Sequence, residues 1–192
     1  MKLSPLFEAA IQFALTAHKN QLRKGTQVPY VSHLLAVASI VLDYGGDEDE
    51  AIAALLHDSV EDCGVDSEEI RRRFGDKAAN IVVACSDSLE KNPDNKAVWR
   101  PRKEAYLEHL KTAPPSVLLV SAADKVHNVR SIVKDFREIG HTVWARFKGG
   151  KDGSLWYYQS LVEIFKQRGK HRMLVYELAL TVAELQRLAS ST

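Results

Sequence analysis

The sequence predicts an all-α fold, a compact bundle of several helices. Three observations indicate this class: apolar residues recur at helical spacing through most of the chain, capping and helix-ending signals divide it at short intervals, and strand-type alternation is nowhere sustained. The length of 192 residues, with 45% hydrophobic and 27% charged residues, is typical of a single soluble globular domain. We therefore expect one domain over residues 1–192.

Local signals place the individual helices. Ser4 before Pro5 is a cap followed by proline at the first helical position, and Asp47 with Glu50 three residues later forms a capping box. Glycines mark the helix ends, and a Pro-Pro pair opens the longest helix. The predicted helices cover residues 5–15, 29–45, 47–64, 66–75, 77–88, 103–112, 115–140, 154–167 and 172–190. The predicted loops cover residues 20–27, 90–100 and 148–153.

Charge, hydropathy and cysteine content limit the possible partners. The formal net charge of +1 disfavours a large nucleic-acid surface, which usually makes a domain strongly basic. No apolar run approaches the ~20 residues that cross a bilayer, and the amino terminus lacks the apolar region of a signal peptide. Cys63 and Cys85 form no CxxC pair and are interpreted as reduced core thiols. These observations predict a cytoplasmic protein without membrane or nucleic-acid partners; a homo-oligomer is possible.

The helix predicted over 47–64 concentrates ionisable side chains in the segment AIAALLHDSVEDCG. On a continuous helix, positions i and i+4 share a face, so His57 is expected to stack over Glu61 and Asp58 over Asp62. One imidazole and three carboxylates would then lie together, a combination that suits metal binding and proton transfer. Solvated side chains at a frayed helix end are the alternative interpretation.

The position of the two acids within this helix also favours a functional role. Glu61 and Asp62 would fall in its last turn, where the helix dipole disfavours each acid by roughly 0.3–1 kcal/mol. A bound cation nearby would offset that cost, and functional sites are where local rules are most often broken.

Two residues elsewhere are weaker candidates when each is considered alone. His33 lies on a helix with apolar neighbours, which is typical of a buried core histidine. Asp124 aligns with Ser121, His127 and Asn128, and this pattern also describes the polar face of an amphipathic helix.

Several ordered motifs change this balance. PYVSHLLAVA, ALLHDSVED and AADKVHN occur in this order, preceded by AHKNQLRKG and followed by LWYYQSLVEIF. Together they closely resemble the hydrolase domain of the RelA/SpoT homologue family, over about residues 7–165. The resemblance implies a small, single-domain alarmone hydrolase with the HD-domain fold. It also implies removal of the 3′-pyrophosphate of (p)ppGpp, the alarmone of the stringent response, to give GDP or GTP and pyrophosphate.

The resemblance also implies the residues of the site. The ligands of one manganese ion would be His33, His57, Asp58 and Asp124. The catalytic Glu-Asp pair of the family falls on Glu61 and Asp62. Two imidazoles and two carboxylates agree with a divalent ion, although the donor set alone does not decide between metals.

A nucleotide with several phosphate charges requires a basic patch. Arg23 and Lys24, in the loop before the first predicted ligand, are the main candidates for substrate binding. Lys125 and Asn128 lie beside the last predicted ligand and are also expected to reach the nucleotide. Tyr157 matches a family tyrosine near the substrate and would stack on a base; core packing is the alternative.

Three departures from the family pattern leave the substrate open. Leu34 replaces a common proline, Asn20 replaces a glycine, and Ser121 replaces a common lysine three positions before Asp124. Because of the change at Ser121, the sequence does not decide whether the site prefers a guanine or an adenine alarmone. Alternative predictions are an HD phosphohydrolase acting on (p)ppApp, NADPH or a nucleoside monophosphate, and a non-catalytic alarmone-binding domain.

Overall fold

Helices form the fold of the computed structural model, which describes residues 2–87 and 98–191. In chain order they are α1 Pro5–Ala17, α2 Val31–Asp43, α3 Glu48–Leu56, α4 Ser59–Cys63, α5 Ser67–Phe74, α6 Asp76–Cys85, α7 Trp99–Leu110, α8 Pro115–Ile139, a 3₁₀ helix Gly140–Arg146, α9 Gly150–Arg168 and α10 Arg172–Ser190. Within the described residues, β pairing is limited to an isolated antiparallel bridge between Leu22 and Pro29. The predicted all-α class is confirmed.

The core is organised around α3 and α8. In α3 every residue from Ala51 to Leu56 is buried, which is expected of a helix that is apolar on all sides. The longer α8 packs against α2, α3, α6 and α10. The end of α3 and the middle of α8 are therefore both inside the protein, and polar residues at these points face its interior. None of the helices in the described ranges combines the length and apolarity needed to cross a membrane.

The predicted start of α3 is confirmed in detail. The Asp47 side chain accepts a hydrogen bond from the backbone N–H of Glu50 at 3.0 Å, and the Glu50 carboxylate accepts one from the backbone N–H of Asp47 at 2.8 Å. This capping box satisfies two donors at the helix start.

The prediction of one continuous helix over 47–64 is wrong at its centre. Helix α3 ends at Leu56, and His57 and Asp58 form a turn before α4. The His57 ring donates from Nδ1 to the Ala54 carbonyl oxygen at 2.8 Å. Asp58 has φ −97° and ψ −3°, in the sparsely populated bridge region where active-site residues often lie.

This break changes the setting of the two acids. Glu61 and Asp62 lie in the first turn of the separate helix α4, not in the last turn of a longer one. The continuous helix on which His57 and Asp58 were expected to stack over them is therefore interrupted, although the backbone N–H of Asp62 still donates to the Asp58 carbonyl oxygen at 2.8 Å. The predicted conflict with the helix dipole is also wrong, because acids are favourable in a first turn.

Several other helix and loop boundaries differ from the predicted ones. Of the loop predicted over 90–100, residues 90–97 lie outside the described part of the chain, whereas Trp99 and Arg100 begin α7. Helix α6 ends at Cys85, and Ser88, the predicted end, lies outside the described residues. The predicted loop over 148–153 is wrong from Gly150 onward, where α9 begins. The 3₁₀ helix was not predicted.

Glycine at two positions of this segment lets the Trp99 ring approach its backbone. A Cβ added at Gly149 would lie 2.5 Å from a ring atom of Trp99, and one added at Gly153 would lie 3.1 Å away. The glycines that suggested a loop therefore serve helix packing, which overrides their low helix propensity.

We expect Gly149→Ala to lower the free energy of unfolding by about 1–3 kcal/mol, because the added methyl overlaps the rigid indole ring. Gly153→Ala is the matched control: its contact is looser, and alanine in a helix interior gains up to about 1 kcal/mol over glycine. Urea unfolding of both variants measures the difference. Equal stability of Gly149→Ala and the parent protein would contradict this packing.

Candidate metal and active site

Four side chains from three regions of the fold converge on one point. His33 comes from α2, His57 and Asp58 from the turn between α3 and α4, and Asp124 from α8. His33 Nε2 lies 3.2 Å from Asp124 Oδ1 and 3.6 Å from Asp58 Oδ2. His57 Nε2 lies 3.0 Å from Asp58 Oδ2 and 3.7 Å from Asp124 Oδ1. The structure thus brings together all four predicted ligands.

The two imidazoles of this cluster have unused nitrogens. His33 is 0% exposed and His57 is 3% exposed, and the buried Nε2 of each has no hydrogen-bond partner within the described residues. Because His57 donates from Nδ1 to a carbonyl, Nε2 carries the lone pair in its neutral ring. Buried polar atoms are nearly always partnered, so two lone pairs beside two carboxylate oxygens fit a divalent cation.

The two carboxylates of the cluster, Asp58 and Asp124, require positive charge nearby. Burial disfavours the charged forms, but the Asp58 and Asp124 carboxylates outweigh it and raise the pKa of His57. The pKa of both carboxyls is held well below its usual value, with His57 acting on Asp58 and Lys125 on Asp124 against the effect of burial. Protonation of His57 supplies part of this charge. A divalent cation would displace that proton, as metal binding to histidine generally does.

Hydrogen bonds orient both carboxylates. The Tyr30 hydroxyl donates to Asp58 Oδ2 at 2.6 Å. Lys125 Nζ donates to Asp124 Oδ2 and Asn128 Nδ2 donates to Asp124 Oδ1, each at 2.5 Å. Supporting contacts of this kind fix the direction of metal-binding carboxylates.

His33 is oriented by a second histidine. Burial, followed by repulsion from neighbouring His33, lowers the pKa of His127 to about 4, so His127 is neutral at physiological pH. Its Nδ1 lies 2.7 Å from Nδ1 of His33. With His127 accepting the hydrogen bond, the proton of His33 is on Nδ1 and its Nε2 faces the cluster as an acceptor.

The Glu61 and Asp62 side chains leave α4 in different directions. Asp62 Oδ2 accepts a hydrogen bond from Gln21 Nε2 at 2.8 Å and lines a cavity beside the cluster. Glu61 Oε2 accepts from the backbone N–H of Asp87 at 3.3 Å, and its Oε1 lies 3.5 Å from Nη1 of Arg102. The two acids, three and four residues after the His57–Asp58 pair, are therefore held by separate supports.

The cavity has a volume of about 680 Å³, which lies within the range of small-molecule sites. Arg23, Lys24 and Asn128, three of the predicted substrate contacts, line it. Arg23 donates from Nη2 to Asn128 Oδ1 at 2.8 Å, and its guanidinium lies 5.5 Å from the centre of the Tyr30 ring. Arg23 and Lys24 thus give one side of the cavity positive charge, and Asn128 connects Arg23 to Asp124 of the cluster.

The loop that carries Arg23 and Lys24 is anchored at Gly25. This glycine has φ +71°, and a Cβ added to it would lie 2.5 Å from Nε of Arg146. Arg146 donates in turn to Asp135 Oδ2 at 2.5 Å. Only glycine tolerates both the left-handed conformation and the close approach of Arg146.

The other two predicted substrate contacts, Lys125 and Tyr157, are not among the described residues that line this cavity. Lys125 binds Asp124, as described above. Tyr157 is 6% exposed and packs with Trp99 and Trp156, in the core position that was its alternative interpretation. Its neighbour Tyr158 lines the cavity instead. A substrate role for Lys125 and Tyr157 stays a prediction.

Sequence reasoning missed several residues that support the site. A signal existed for His127, which follows Asp124 by three residues and so shares its helix face. Tyr30 directly precedes α2 in the PYVSH segment, but its contact with Asp58 depends on tertiary packing. No local pattern indicated Gln21 or Asp87.

Comparison with known proteins defines the family. Residues 10–155 match the family model described as "HD domain". The chain belongs to the HD domain family. Guanosine-3′,5′-bis(diphosphate) 3′-pyrophosphohydrolase MESH1 of Homo sapiens is 32% identical over 176 residues, which cover 85% of this chain and 94% of that protein. The Xenopus tropicalis protein of the same name is 39% identical over 130 residues, covering 66% of this chain and 69% of that protein.

A solved structure agrees with this HD domain over nearly its full length. It is described as "A metazoan ortholog of SpoT hydrolyzes ppGpp and plays a role in starvation responses". The TM-score is 0.81 at 25% sequence identity, with 98% of this chain and 99% of that chain covered. The family resemblance predicted from the motifs and the HD-domain fold are both confirmed.

Proposed function

We propose that this HD domain is a metal-dependent pyrophosphohydrolase that removes the 3′-pyrophosphate of (p)ppGpp to give GDP or GTP and pyrophosphate. The observation that carries the proposal is the convergence of His33, His57, Asp58 and Asp124, with two unused imidazole nitrogens, beside a cavity of nucleotide size. The match to most of the length of human MESH1 supports the choice of substrate.

The four converging side chains would hold one divalent ion, and we propose Mn²⁺. Their donor set of two imidazoles and two carboxylates accepts several first-row metals, so the choice of manganese rests on the family resemblance. When bound, such an ion lowers the pKa of a coordinated water and polarises a phosphoryl oxygen.

The cavity residues would bind and orient the nucleotide. Arg23 and Lys24 present cations to the phosphates from an anchored loop, and the arginine fork suits bidentate contact with phosphate oxygens. Tyr158 offers an aromatic surface near them. The proposed partner is thus a small-molecule nucleotide. A cytoplasmic location and a homo-oligomer stay predictions.

Glu61 and Asp62 would manage the protons of the reaction. The oxygen of water forms a bond to the phosphorus attached to the ribose 3′ oxygen, and the bond from that phosphorus to the 3′ oxygen breaks. One carboxylate takes the proton from water, and the other, in its protonated form, gives a proton to the leaving 3′ oxygen; which of the two residues has which role stays open. Groups placed within hydrogen-bond reach typically contribute about 10²–10⁴-fold to such a step.

A substrate panel with controlled metal content tests the proposal. Metal-stripped protein would be assayed with (p)ppGpp, (p)ppApp, NADPH and nucleoside monophosphates, before and after addition of Mn²⁺, Mg²⁺ or Zn²⁺. We expect pyrophosphate release from (p)ppGpp with Mn²⁺, a loss of at least about 10²-fold on stripping, and inert monophosphates.

Two outcomes would contradict the proposal: rapid cleavage of monophosphates, or an unchanged rate in fully stripped protein. Preference for (p)ppApp would instead correct the base, and assays of Ser121→Lys on both alarmones would then test whether Ser121 contributes to that choice. The hydroxyl of Ser121 lies 2.8 Å from that of buried Tyr106, so the variant Ser121→Lys would also disturb this pair.

A further inference from the structure

His18 is a buried histidine that the proposed mechanism does not use. It is 3% exposed, caps the end of α1 and stacks on the Tyr30 ring with 5.2 Å between centroids and 13° between planes. Its Nδ1 lies 2.6 Å from Gln21 Oε1, and its Nε2 lies 3.3 Å from Ser59 Oγ. Both ring nitrogens therefore have a polar neighbour.

The chemistry of these neighbours fixes the direction of every hydrogen bond. An amide oxygen can only accept, so His18 carries its proton on Nδ1 and donates to Gln21 Oε1. The unprotonated Nε2 then accepts from the Ser59 hydroxyl. Because Oε1 of Gln21 points to His18, its NH₂ group points the other way and donates to Asp62 Oδ2 at 2.8 Å.

The backbone of Gln21 is also held. Its N–H donates to the His18 carbonyl oxygen at 3.0 Å, and its own carbonyl oxygen accepts from the Tyr30 N–H at 2.9 Å. The adjacent bridge between Leu22 and Pro29 closes the same loop. These hydrogen bonds hold the backbone of Gln21 in place, and with it the point from which its side chain extends.

We propose that His18 and Gln21 are positioning residues for Asp62. The chain from Ser59 through His18 and Gln21 holds the Asp62 carboxylate in one orientation at the cavity wall. Asp62 is exposed on the five-residue helix α4, and the oriented amide favours the side-chain rotamer that keeps its Oδ2 at 2.8 Å from Gln21 Nε2. The catalytic consequence rests on the proposed function, in which Asp62 handles a proton.

The neighbouring thiol does not replace this chain. Cys63 Sγ lies 3.3 Å from Nδ1 of His18 and 3.9 Å from Gln21 Oε1. Burial, followed by the charge of Asp62, raises the pKa of Cys63 to about 11, so the group stays a neutral thiol. It packs beside the His18–Gln21 bond as a weak donor.

Kinetics of Gln21→Leu test the positioning role. We expect kcat to fall about 10–100-fold, because small misplacement of a reacting group costs up to about 10²-fold. KM should stay within about threefold and metal content should not change, since Gln21 lines the cavity but is neither a predicted metal ligand nor one of the cations proposed to bind phosphate. Gln27→Leu, an exposed change in the same loop, is the matched control with unchanged kcat.

A double-mutant comparison separates action through Asp62 from a general structural effect. In an Asp62→Asn background, Gln21→Leu should cost less than about twofold, because residues that act as a unit are strongly non-additive. His18→Asn, which retains a donor near the position of Nδ1, should keep more activity than His18→Leu. Full activity of Gln21→Leu, or an equal loss in the Asp62→Asn background, would overturn the proposal.

The side-chain amide signals of Gln21 test the hydrogen bonds without substrate. They are assigned in a ¹H–¹⁵N spectrum by their loss in Gln21→Leu, and they should shift in both Asp62→Asn and His18→Asn while those of Gln27 stay in place. Unmoved Gln21 signals in both variants would contradict the chain. A parent protein that releases no pyrophosphate would instead refute the proposed function, so the two failures are distinguishable.

Discussion

Asp58→Ala is expected to abolish hydrolysis and bound metal together. The change removes one of four converging donors, the nearer of the two carboxylates beside His57 Nε2 and the acceptor of the Tyr30 hydroxyl. Loss of metal chemistry removes several kcal/mol of transition-state stabilisation, so the rate should fall by roughly 10³-fold or more. Steady-state assays and metal analysis by mass spectrometry of the same preparation measure both effects.

The control for this variant is Asp43→Ala, which removes an exposed carboxylate from the end of α2, the helix that carries His33. It should retain parent activity and metal content. Circular dichroism would establish that both variants are folded. Asp58→Ala protein with full turnover, or with its ion retained at the parent level, would show that the site lies elsewhere.

Glu61→Gln is expected to bind substrate but to turn it over about 10²–10⁴-fold more slowly. The amide preserves the shape of the side chain and can still accept from the backbone N–H of Asp87, but it cannot carry a proton between reacting groups. Calorimetric titration of nucleotide and single-turnover kinetics separate binding from chemistry.

The matched variant is Asp62→Asn, which makes the same change on the acid that lines the cavity. A rate loss confined to one variant would assign the essential proton transfer to that residue, and losses in both would assign one carboxylate to each proton. Weakened binding with unchanged kcat in Glu61→Gln would contradict a catalytic role and indicate a structural one.

Local sequence signals predicted much of the fold because they depend on short-range physics. The capping box at Asp47 and the proline start of α8 were correct, since a cap needs only residues within one turn. The break at His57 could not be predicted in this way. The periodicity of ALLHDSVED continues through it, and the packing of α3 against α1, α2, α6 and α8 involves residues that lie far from the break in sequence.

In the candidate site, too, some features could be predicted from the sequence and others depend on tertiary packing. Ordered motifs predicted which four side chains would meet, and they do meet, while their role as metal ligands stays a prediction. Tyr30 and Gln21 were missed, and His127 was noted only as part of the polar face of its helix, because each acts on a residue of another element or loop. The Tyr157 ring is buried beside Trp99, which agrees with its core interpretation, and its contact with substrate stays a prediction.

The turn between α3 and α4 makes the order of His57 and Asp58 along the chain matter for the geometry of the site. Successive side chains on a helix diverge by about 100°, so adjacent residues rarely reach one point. Here the backbone bends between His57 and Asp58, and their donor atoms come within 3.0 Å, as the two arms of a chelator. The imidazole of His57 is held by the carbonyl of Ala54, three residues earlier, so exchanging the two residues would keep the composition and remove this contact.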